Sequence, residues 1–342
     1  MSENVPSISI QNLRHSAEER QKLFKGLTKV GFLYICDHGV PKSITDRVKR
    51  LSPDVFLADK WERQELAQWR EGKLSYGDIY NEKDQRVVNE RSDVKLDKKE
   101  IDEAFFDYIS EMYRVGEILV YWVEKVLGLK NGALSEAYGK DPILVQHINY
   151  YHTKPNERWA FVEHVDRNCI LTFLMQSEVG GLEMDFNGRW EEVPFRENTF
   201  TVNLGNILEH ATYGVVKATW HRVRMPANQK RHQWPTFFTL SPKSTLFQIQ
   251  DFAWNKDNYQ RRLIEERARI IGNDNRHQAE VLTPDTNILE WLKEHSKEFE
   301  ARKDFPKVDS QILEMVSRKQ GDEIGYDVAE NEFRYQNYES KK

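Results

Sequence analysis

Between Ile143 and Pro242 the sequence consists of short β-rich runs separated by turn signals, a pattern that leaves few architectures open. In chain order the runs are LVQHINYY, WAFVEHV, CILTFLM, GLEMDF, RWEEVPF, FTVNL, VVKATWHRV and WPTFFTL. Asn187-Gly188 gives the strongest hairpin signal, because both residues tolerate the positive φ of a type I′ turn. Roughly eight strands in about a hundred residues predict an antiparallel double-stranded β-helix, or jelly roll.

Helical patterns flank this β-rich block. Ser16 is a plausible N-cap for an apolar stripe at helical spacing that Gly31 ends, and FLYIC (Phe32 to Cys36) then reads as a strand. Residues 101–128 predict a long amphipathic helix. The expected fold is mixed α/β (α+β), a jelly-roll core with flanking helices. Its parts are an amino-terminal helical region with one or more strands (1–130), the jelly-roll core (131–245) and a carboxy-terminal helical extension (246–342) whose last residues are expected to be mobile.

The composition narrows the class of protein. The 342 residues are 39% hydrophobic and 31% charged, with a net charge of −5, which predicts a globular protein without the basic face that nucleic acid requires. The amino terminus lacks the apolar stretch of a signal peptide, and no run approaches the ~20 apolar residues of a membrane span. We therefore expect a cytoplasmic protein with neither nucleic-acid nor membrane partners. The oligomeric state is left open.

One pair of motifs carries a candidate metal site. His164 and Asp166 lie two apart near the end of a predicted strand, so their side chains should share a face, and His221 follows in a later strand-like run. Two His and one carboxylate leave open coordination positions, as iron(II) oxygenases require. Zinc hydrolysis could use the same ligands. An HxD tripeptide among ten His can also arise by chance, but its β-rich context favours a ligand.

The order of several motifs resembles one family, the iron(II)- and 2-oxoglutarate-dependent dioxygenases of the isopenicillin N synthase and plant flavonoid oxygenase type. GFLYICDHGVP (residues 31–41) is similar to the family's GFF…NHGVP segment, and NYYHTKP to its NYYPPCP strand. LTFLMQSEVGGLEM, VNLGNILEHATYG and KATWHRV continue the likeness, which covers about residues 8–245.

The resemblance implies an oxidoreductase that uses Fe(II), O₂ and 2-oxoglutarate as cosubstrate. It would hydroxylate, desaturate or cyclise a small molecule, and we expect a role in specialised metabolism. The sequence selects neither the substrate nor the outcome. Two alternatives stay open: a 2-oxoglutarate-independent iron oxidase of the isopenicillin N synthase type, and a non-catalytic binding protein.

The resemblance also assigns cosubstrate residues. Arg231, ten residues after His221 (231 − 221), matches the arginine that pairs with the distal carboxylate of 2-oxoglutarate. Tyr151 and Asn149, on the NYY strand, would lie beside it. Gln233 stands where the family has Ser, a departure that keeps the oxidase alternative open. A solvated hairpin arginine is the plain alternative for Arg231.

Substrate contacts are the least defined part of the prediction. His147 alternates with Asn149 on one predicted strand and should face the same pocket, although a buried structural His fits equally well. Tyr76 falls where the family's amino-terminal region reaches over the site, and Arg167 directly follows Asp166. The carboxy-terminal extension is expected to supply a lid or an oligomer contact.

Overall fold

The computed structural model describes residues 4–57, 95–129, 132–134, 143–151, 158–166, 169–226, 230–239, 252 and 255–261. Its strands are β1 (Ser7–Ser9), β2 (Phe32–Cys36), β3 (Ile143–Gln146), β4 (Asn149–Tyr151), β5 (Trp159–His164), β6 (Leu171–Gln176), β7 (Leu182–Phe186), β8 (Arg189–Glu192), β9 (Phe200–Leu204), β10 (His221–Arg224) and β11 (Arg231–Thr239). Its helices are a 3₁₀ turn (Asn12–Arg14), α1 (Ala17–Lys25), a π-helical turn (Gly26–Val30), α2 (Lys42–Leu57), α3 (Lys98–Val126) and α4 (Asn206–Ala211).

The strands form two sheets. The major sheet has the order β1-β2-β9-β6-β11-β3, with β4 also paired to β11, and the minor sheet has the order β5-β10-β7-β8. All pairs are antiparallel except β1 with β2. The hairpin between β7 and β8 turns through Asn187 and Gly188, whose φ angles of 53° and 81° match the predicted turn. The predicted mixed α/β jelly roll is confirmed.

Two helices cover the outer face of the major sheet. Phe238 of β11 lies so close to Gly116 of α3 that a Cβ on this glycine would lie 2.6 Å from the phenyl ring. Trp234 of β11 donates from Nε1 to Ser52 Oγ of α2 over 2.7 Å. The even-numbered residues of β11 therefore face the helices, and its odd-numbered residues face the other side, because side chains alternate along a strand.

The amino-terminal helix begins as the sequence predicts. Ser16 Oγ accepts a hydrogen bond from the Glu19 amide over 3.2 Å, as an N-cap residue does. The helical segment ends at Gly31, which adopts the left-handed conformation with φ 73°. Its last turn, Gly26–Val30, is π-helical rather than α-helical, which the sequence pattern does not reveal. Among the described residues, no helix is long and apolar enough to cross a membrane.

The single strand predicted over LVQHINYY is wrong in one detail, because it is broken into β3 and β4. Both parts pair with β11 in one continuous register, and the break falls opposite Pro235. The His147 amide donates to Pro235 O over 2.9 Å, but proline has no amide hydrogen to return the bond. Gln146 Nε2 donates to His147 O instead, over 2.6 Å.

Candidate functional site

His164, Asp166 and His221 meet at one end of the minor sheet. β5 and β10 pair antiparallel with His221 opposite His164, and the two imidazole centroids lie 4.1 Å apart. Asp166 Oδ1 lies 3.6 Å from His164 Nε2 and 3.5 Å from His221 Nε2. The expectation that Asp166 shares a strand face with His164 is wrong, since β5 ends at His164 and Asp166 lies in the loop beyond it.

Both imidazoles are oriented by backbone carbonyls. His164 Nδ1 lies 2.9 Å from Val162 O, and His221 Nδ1 lies 3.0 Å from Thr219 O. A carbonyl oxygen only accepts, so each Nδ1 carries the hydrogen and each Nε2 keeps its lone pair. This is the arrangement that prepares a His for a metal ion.

Asp166 is held by two side chains that the sequence patterns did not single out. Its Oδ2 accepts from Thr172 Oγ1 and from Asn203 Nδ2, each over 2.6 Å, which leaves Oδ1 facing the imidazoles. Thr172 and Asn203 are paired residues of β6 and β9. Their only sequence signal is a polar residue inside an apolar run.

The electrostatics of the cluster favour an ionised carboxylate. Burial by itself would raise the pKa of Asp166, but the charge of His221 and the hydrogen bond from His164 hold this pKa well below its usual range. One ligand nitrogen from each imidazole and one oxygen of this carboxylate lie within 4.8 Å of one another. This donor set fits iron(II) in the oxygenases that keep coordination positions open.

Arg231 forms the centre of a second polar cluster. Its side chain is fully buried, and its Nε donates to Val179 O over 3.1 Å. Within the described part of the chain, its Nη1 and Nη2 have no hydrogen-bond partner. Burial lowers the pKa of Arg231 to about 10, opposed by the neighbouring Tyr151, so the group remains a cation at neutral pH. Such a charge is costly unless a ligand pairs with it.

Other unmet hydrogen-bonding atoms surround this guanidinium. In the register of β11 with β4, Arg231 lies opposite Tyr151 and Gln233 lies opposite Asn149. Tyr151 Oη accepts from Asn149 Nδ2 over 3.1 Å, whereas Asn149 Oδ1 and Gln233 Nε2 are buried without a partner among the described residues. A buried cation whose Nη1 and Nη2 lack a partner among the described residues, next to a buried amide donor in the same state, fits a carboxylate-bearing ligand.

The inner face of the major sheet connects the two clusters. Gln233 lies opposite Gln176 of β6, whose Nε2 donates to Thr201 Oγ1 of β9 over 2.9 Å. Asn203, two residues further along β9, shares the face of Thr201 and bonds Asp166. The charge of Asp166 also acts on the pKa of Tyr151.

His147 belongs to this inner face as well. Neither of its ring nitrogens has a hydrogen-bond partner among the described residues, and its ring lies 5.0 Å from that of Phe237. Burial lowers the pKa of His147 to about 4, so it is neutral at physiological pH. Tyr76 and Arg167 lie outside the described residues, as does the extension from residue 262 onward.

Comparison with known proteins agrees with this geometry. The profile of the 2OG-Fe(II) oxygenase superfamily matches residues 142–242, and that of the non-haem dioxygenase in morphine synthesis N-terminal region matches residues 5–109. A 1-aminocyclopropane-1-carboxylate oxidase of Musa acuminata is 24% identical, covering 71% of this chain and 84% of its own. A probable iron/ascorbate oxidoreductase of Dictyostelium discoideum is 26% identical, covering 75% of this chain and 87% of its own.

A solved structure shares the fold. A full-length Neurospora crassa protein, crystallised with alpha-KG and thymine, superposes with a TM-score of 0.61 at 15% identity and covers 86% of this chain and 98% of its own. Two family profiles, matched in the order of the motifs, thus account for the jelly roll and for the region that precedes it. The chain belongs to the 2OG-Fe(II) oxygenase superfamily and is an oxidoreductase.

Proposed function

We propose that His164, Asp166 and His221 bind the iron(II) and that Arg231 binds the distal carboxylate of 2-oxoglutarate, for the oxidation of a small-molecule substrate. The observation that carries the proposal is the buried guanidinium, whose Nη1 and Nη2 have no partner among the described residues. It projects from the same face of the major sheet as Asn203, which bonds Asp166 of the cluster of two His and one carboxylate.

The iron and 2-oxoglutarate, when bound, supply the activation of O₂. The residues of the chain position these groups and supply the charge that pairs with them. The carbonyls of Val162 and Thr219 hold each Nδ1–H, so each Nε2 keeps its lone pair for the metal. Arg231 offers a planar fork to a carboxylate, and the Gln233 amide offers a neutral donor beside it. Burial excludes water from these pairs, which strengthens them.

We infer that His147 contacts the substrate. As a neutral imidazole it offers one donor and one acceptor, which suits an uncharged polar group better than a carboxylate. Thymine, the ligand crystallised with the Neurospora crassa protein, is a small molecule of this chemical type. Tyr76 and Arg167 remain predicted substrate contacts, and a cytoplasmic location remains a prediction from the sequence.

The test is anaerobic titration of the metal-free chain with Fe(II) and then 2-oxoglutarate, followed by absorption spectroscopy of the ternary complex. We expect a charge-transfer band that appears only with both components, and succinate after O₂ is admitted. Asp166→Ala should remove the band and the succinate, whereas Arg189→Ala, in the β7–β8 hairpin, should retain both. A wild-type chain without the band would contradict the proposal.

A second candidate function is a 2-oxoglutarate-independent iron oxidase. Gln233, bulkier than the Ser of the family's Arg-x-Ser pair, favours it, because the larger side chain can occupy part of the cosubstrate site. The Dictyostelium discoideum relative is named an iron/ascorbate oxidoreductase. Product formed with Fe(II), O₂ and ascorbate, but without 2-oxoglutarate and without succinate, would establish this alternative.

A further inference from the structure

Three of the four residues that precede His221 are each hydrogen-bonded to another part of the chain. The Lys217 amide donates to Leu27 O over 3.0 Å, and the Ala218 amide donates to Glu209 Oε1 over 3.2 Å. Thr219 Oγ1 donates to Val30 O over 2.7 Å. Two of these three bonds end in the π-helical turn Gly26–Val30, so the approach to His221 is docked on the amino-terminal region.

The contact between this turn and Thr219 is too close for any side chain at Gly31. Gly31 has φ +73°, and a Cβ on it would collide with Thr219 Oγ1 and lie 2.7 Å from Lys217 O. Phe32, the next residue, packs edge-on against the His221 imidazole with a centroid separation of 5.6 Å. The amino-terminal region therefore reaches the metal ligand both through Thr219 and directly.

Thr219 connects the two sides of this contact within one residue. Its side chain bonds the π-helical turn, and its carbonyl accepts the Nδ1–H of His221 over 3.0 Å. Thr219 is 8% exposed, so water does not readily replace either bond. A substitution that removes the hydrogen bond from Thr219 Oγ1 to Val30 O should let the peptide group of Thr219 rotate. The carbonyl that orients the His221 imidazole would rotate with it.

We propose that Thr219 is a positioning residue through which the π-helical turn Gly26–Val30 sets the orientation of His221 and so the affinity of the metal site. The proposal rests on the metal-binding role of His221 proposed above. It makes the amino-terminal region, which matches its own family profile, a structural component of the metal centre.

The test is the binding of Co(II) to the metal-free, full-length chain, followed by titration calorimetry and by the ligand-field absorption of the ion. Removal of an outer hydrogen-bond partner typically weakens metal binding by about 10–100-fold. The Thr219 hydroxyl does not bond His221 itself but positions the carbonyl that does. We therefore expect Thr219→Val to weaken Co(II) binding about tenfold at most and to shift the absorption bands. Thr219→Ser, which keeps the hydroxyl, should restore both.

Thr28→Val is the matched control. Thr28 lies in the same turn and donates from Oγ1 to a backbone carbonyl over 2.8 Å, but that carbonyl belongs to Phe24 of α1 and not to the segment before His221. Loss of this hydrogen bond should lower stability without changing the Co(II) affinity or the ligand-field absorption of the bound ion. Equal Co(II) binding by Thr219→Val and Thr28→Val would overturn the positioning role.

Gly31→Ala tests the same contact from its other side, in a chain that keeps Thr219. Its control is Gly128→Ala, at φ +69°, where a Cβ would meet nothing within 4 Å. Only Gly31→Ala should weaken Co(II) binding, and equal binding by the two would again overturn the role. Absence of Co(II) binding by the wild-type chain would instead refute the metal site itself.

Discussion

Arg231 and Gln233 should contribute unequally to the free energy of 2-oxoglutarate binding in the proposed site. Arg231 brings a buried charge, whereas Gln233 brings a neutral amide donor in place of a hydroxyl. Hydrogen bonds to charged groups contribute roughly 1.5–3 kcal/mol, so Arg231→Ala should weaken 2-oxoglutarate binding by about tenfold or more. Binding is measured by the charge-transfer band under anaerobic Fe(II).

Gln233→Ser should change 2-oxoglutarate affinity far less than Arg231→Ala, or increase it. The reason is that serine restores the family's hydroxyl donor and leaves the guanidinium in place. A loss of affinity in Gln233→Ser equal to that in Arg231→Ala would show that the amide, and not the charge, dominates. Steady-state KM for 2-oxoglutarate, taken from succinate formation, gives an independent readout.

At the scale of single residues, His164 and Asp166 stand out in the sequence because they lie two apart. His221 and Arg231 lie far from them in sequence, and Arg231 was assigned by its resemblance to the family arginine that follows the second His by ten (231 − 221). Thr172 and Asn203 escaped prediction because their role depends on the pairing of β6 with β9. Asp166 was predicted for a wrong reason, since it lies in a loop and not on the strand face of His164.

At the scale of the strand, β10 presents different chemistry on its two faces. The guanidinium of Arg222 lies 3.8 Å from the ring centroids of both Trp159 and Trp190. Its Nε donates to Glu183 over 2.8 Å, and its Nη1 donates to Glu163 over 2.7 Å. This one side chain therefore ties together β5, β7, β8 and its own strand on the face opposite His221.

Arg222 and Arg224 both bind Glu183, which makes them a matched pair for mutation. The Arg222 side chain is 10% exposed and that of Arg224 is 52% exposed. Arg222→Met should lower the free energy of unfolding by about 2–4 kcal/mol, since it breaks a buried ion pair and two cation–π contacts. Arg224→Met should cost less than about 1 kcal/mol. Urea denaturation of the metal-free chain measures both, and equal losses would contradict this account.

The elements themselves were predicted where their signals are local. The Ser16 cap, the Gly31 stop and the Asn187-Gly188 hairpin follow from one or two residues each. β1 was missed because its parallel pairing with β2 joins distant segments. The break between β3 and β4 was missed because its cause, Pro235, lies on the partner strand.

For the whole molecule, buried histidines set the dependence of stability on pH. The pKa is lowered by burial for five described histidines: His38, His147 and His232 to about 4, and also His164 and His210. Each takes up its proton more readily when the chain unfolds, so its contribution to stability is present above pH 6.5 and is lost as the pH falls through the lowered pKa. His221 has a raised pKa and acts in the opposite sense.

Five histidines with a lowered pKa outnumber His221, whose pKa is raised. We therefore expect the metal-free chain to lose stability on acidification. The free energy of unfolding from urea titrations in the presence of a chelator should be lower at pH 5 than at pH 7.5. His147→Gln, which removes one titrating group, should reduce the difference. Equal stability at the two pH values would mean that the buried imidazoles do not dominate this range.

The two clusters of the site lie on different sheets, which gives the cosubstrate a mechanical part in the molecule. His164 and His221 are on the minor sheet, and Arg231 is on the major sheet. In the proposed function, residues of both sheets would hold the iron and its cosubstrate, so the binding of 2-oxoglutarate would link the two sheets of the barrel. Amide hydrogens of β10 and of β11 should then gain protection from exchange together when 2-oxoglutarate binds. The reason is that local opening of either sheet would require the ligand to dissociate.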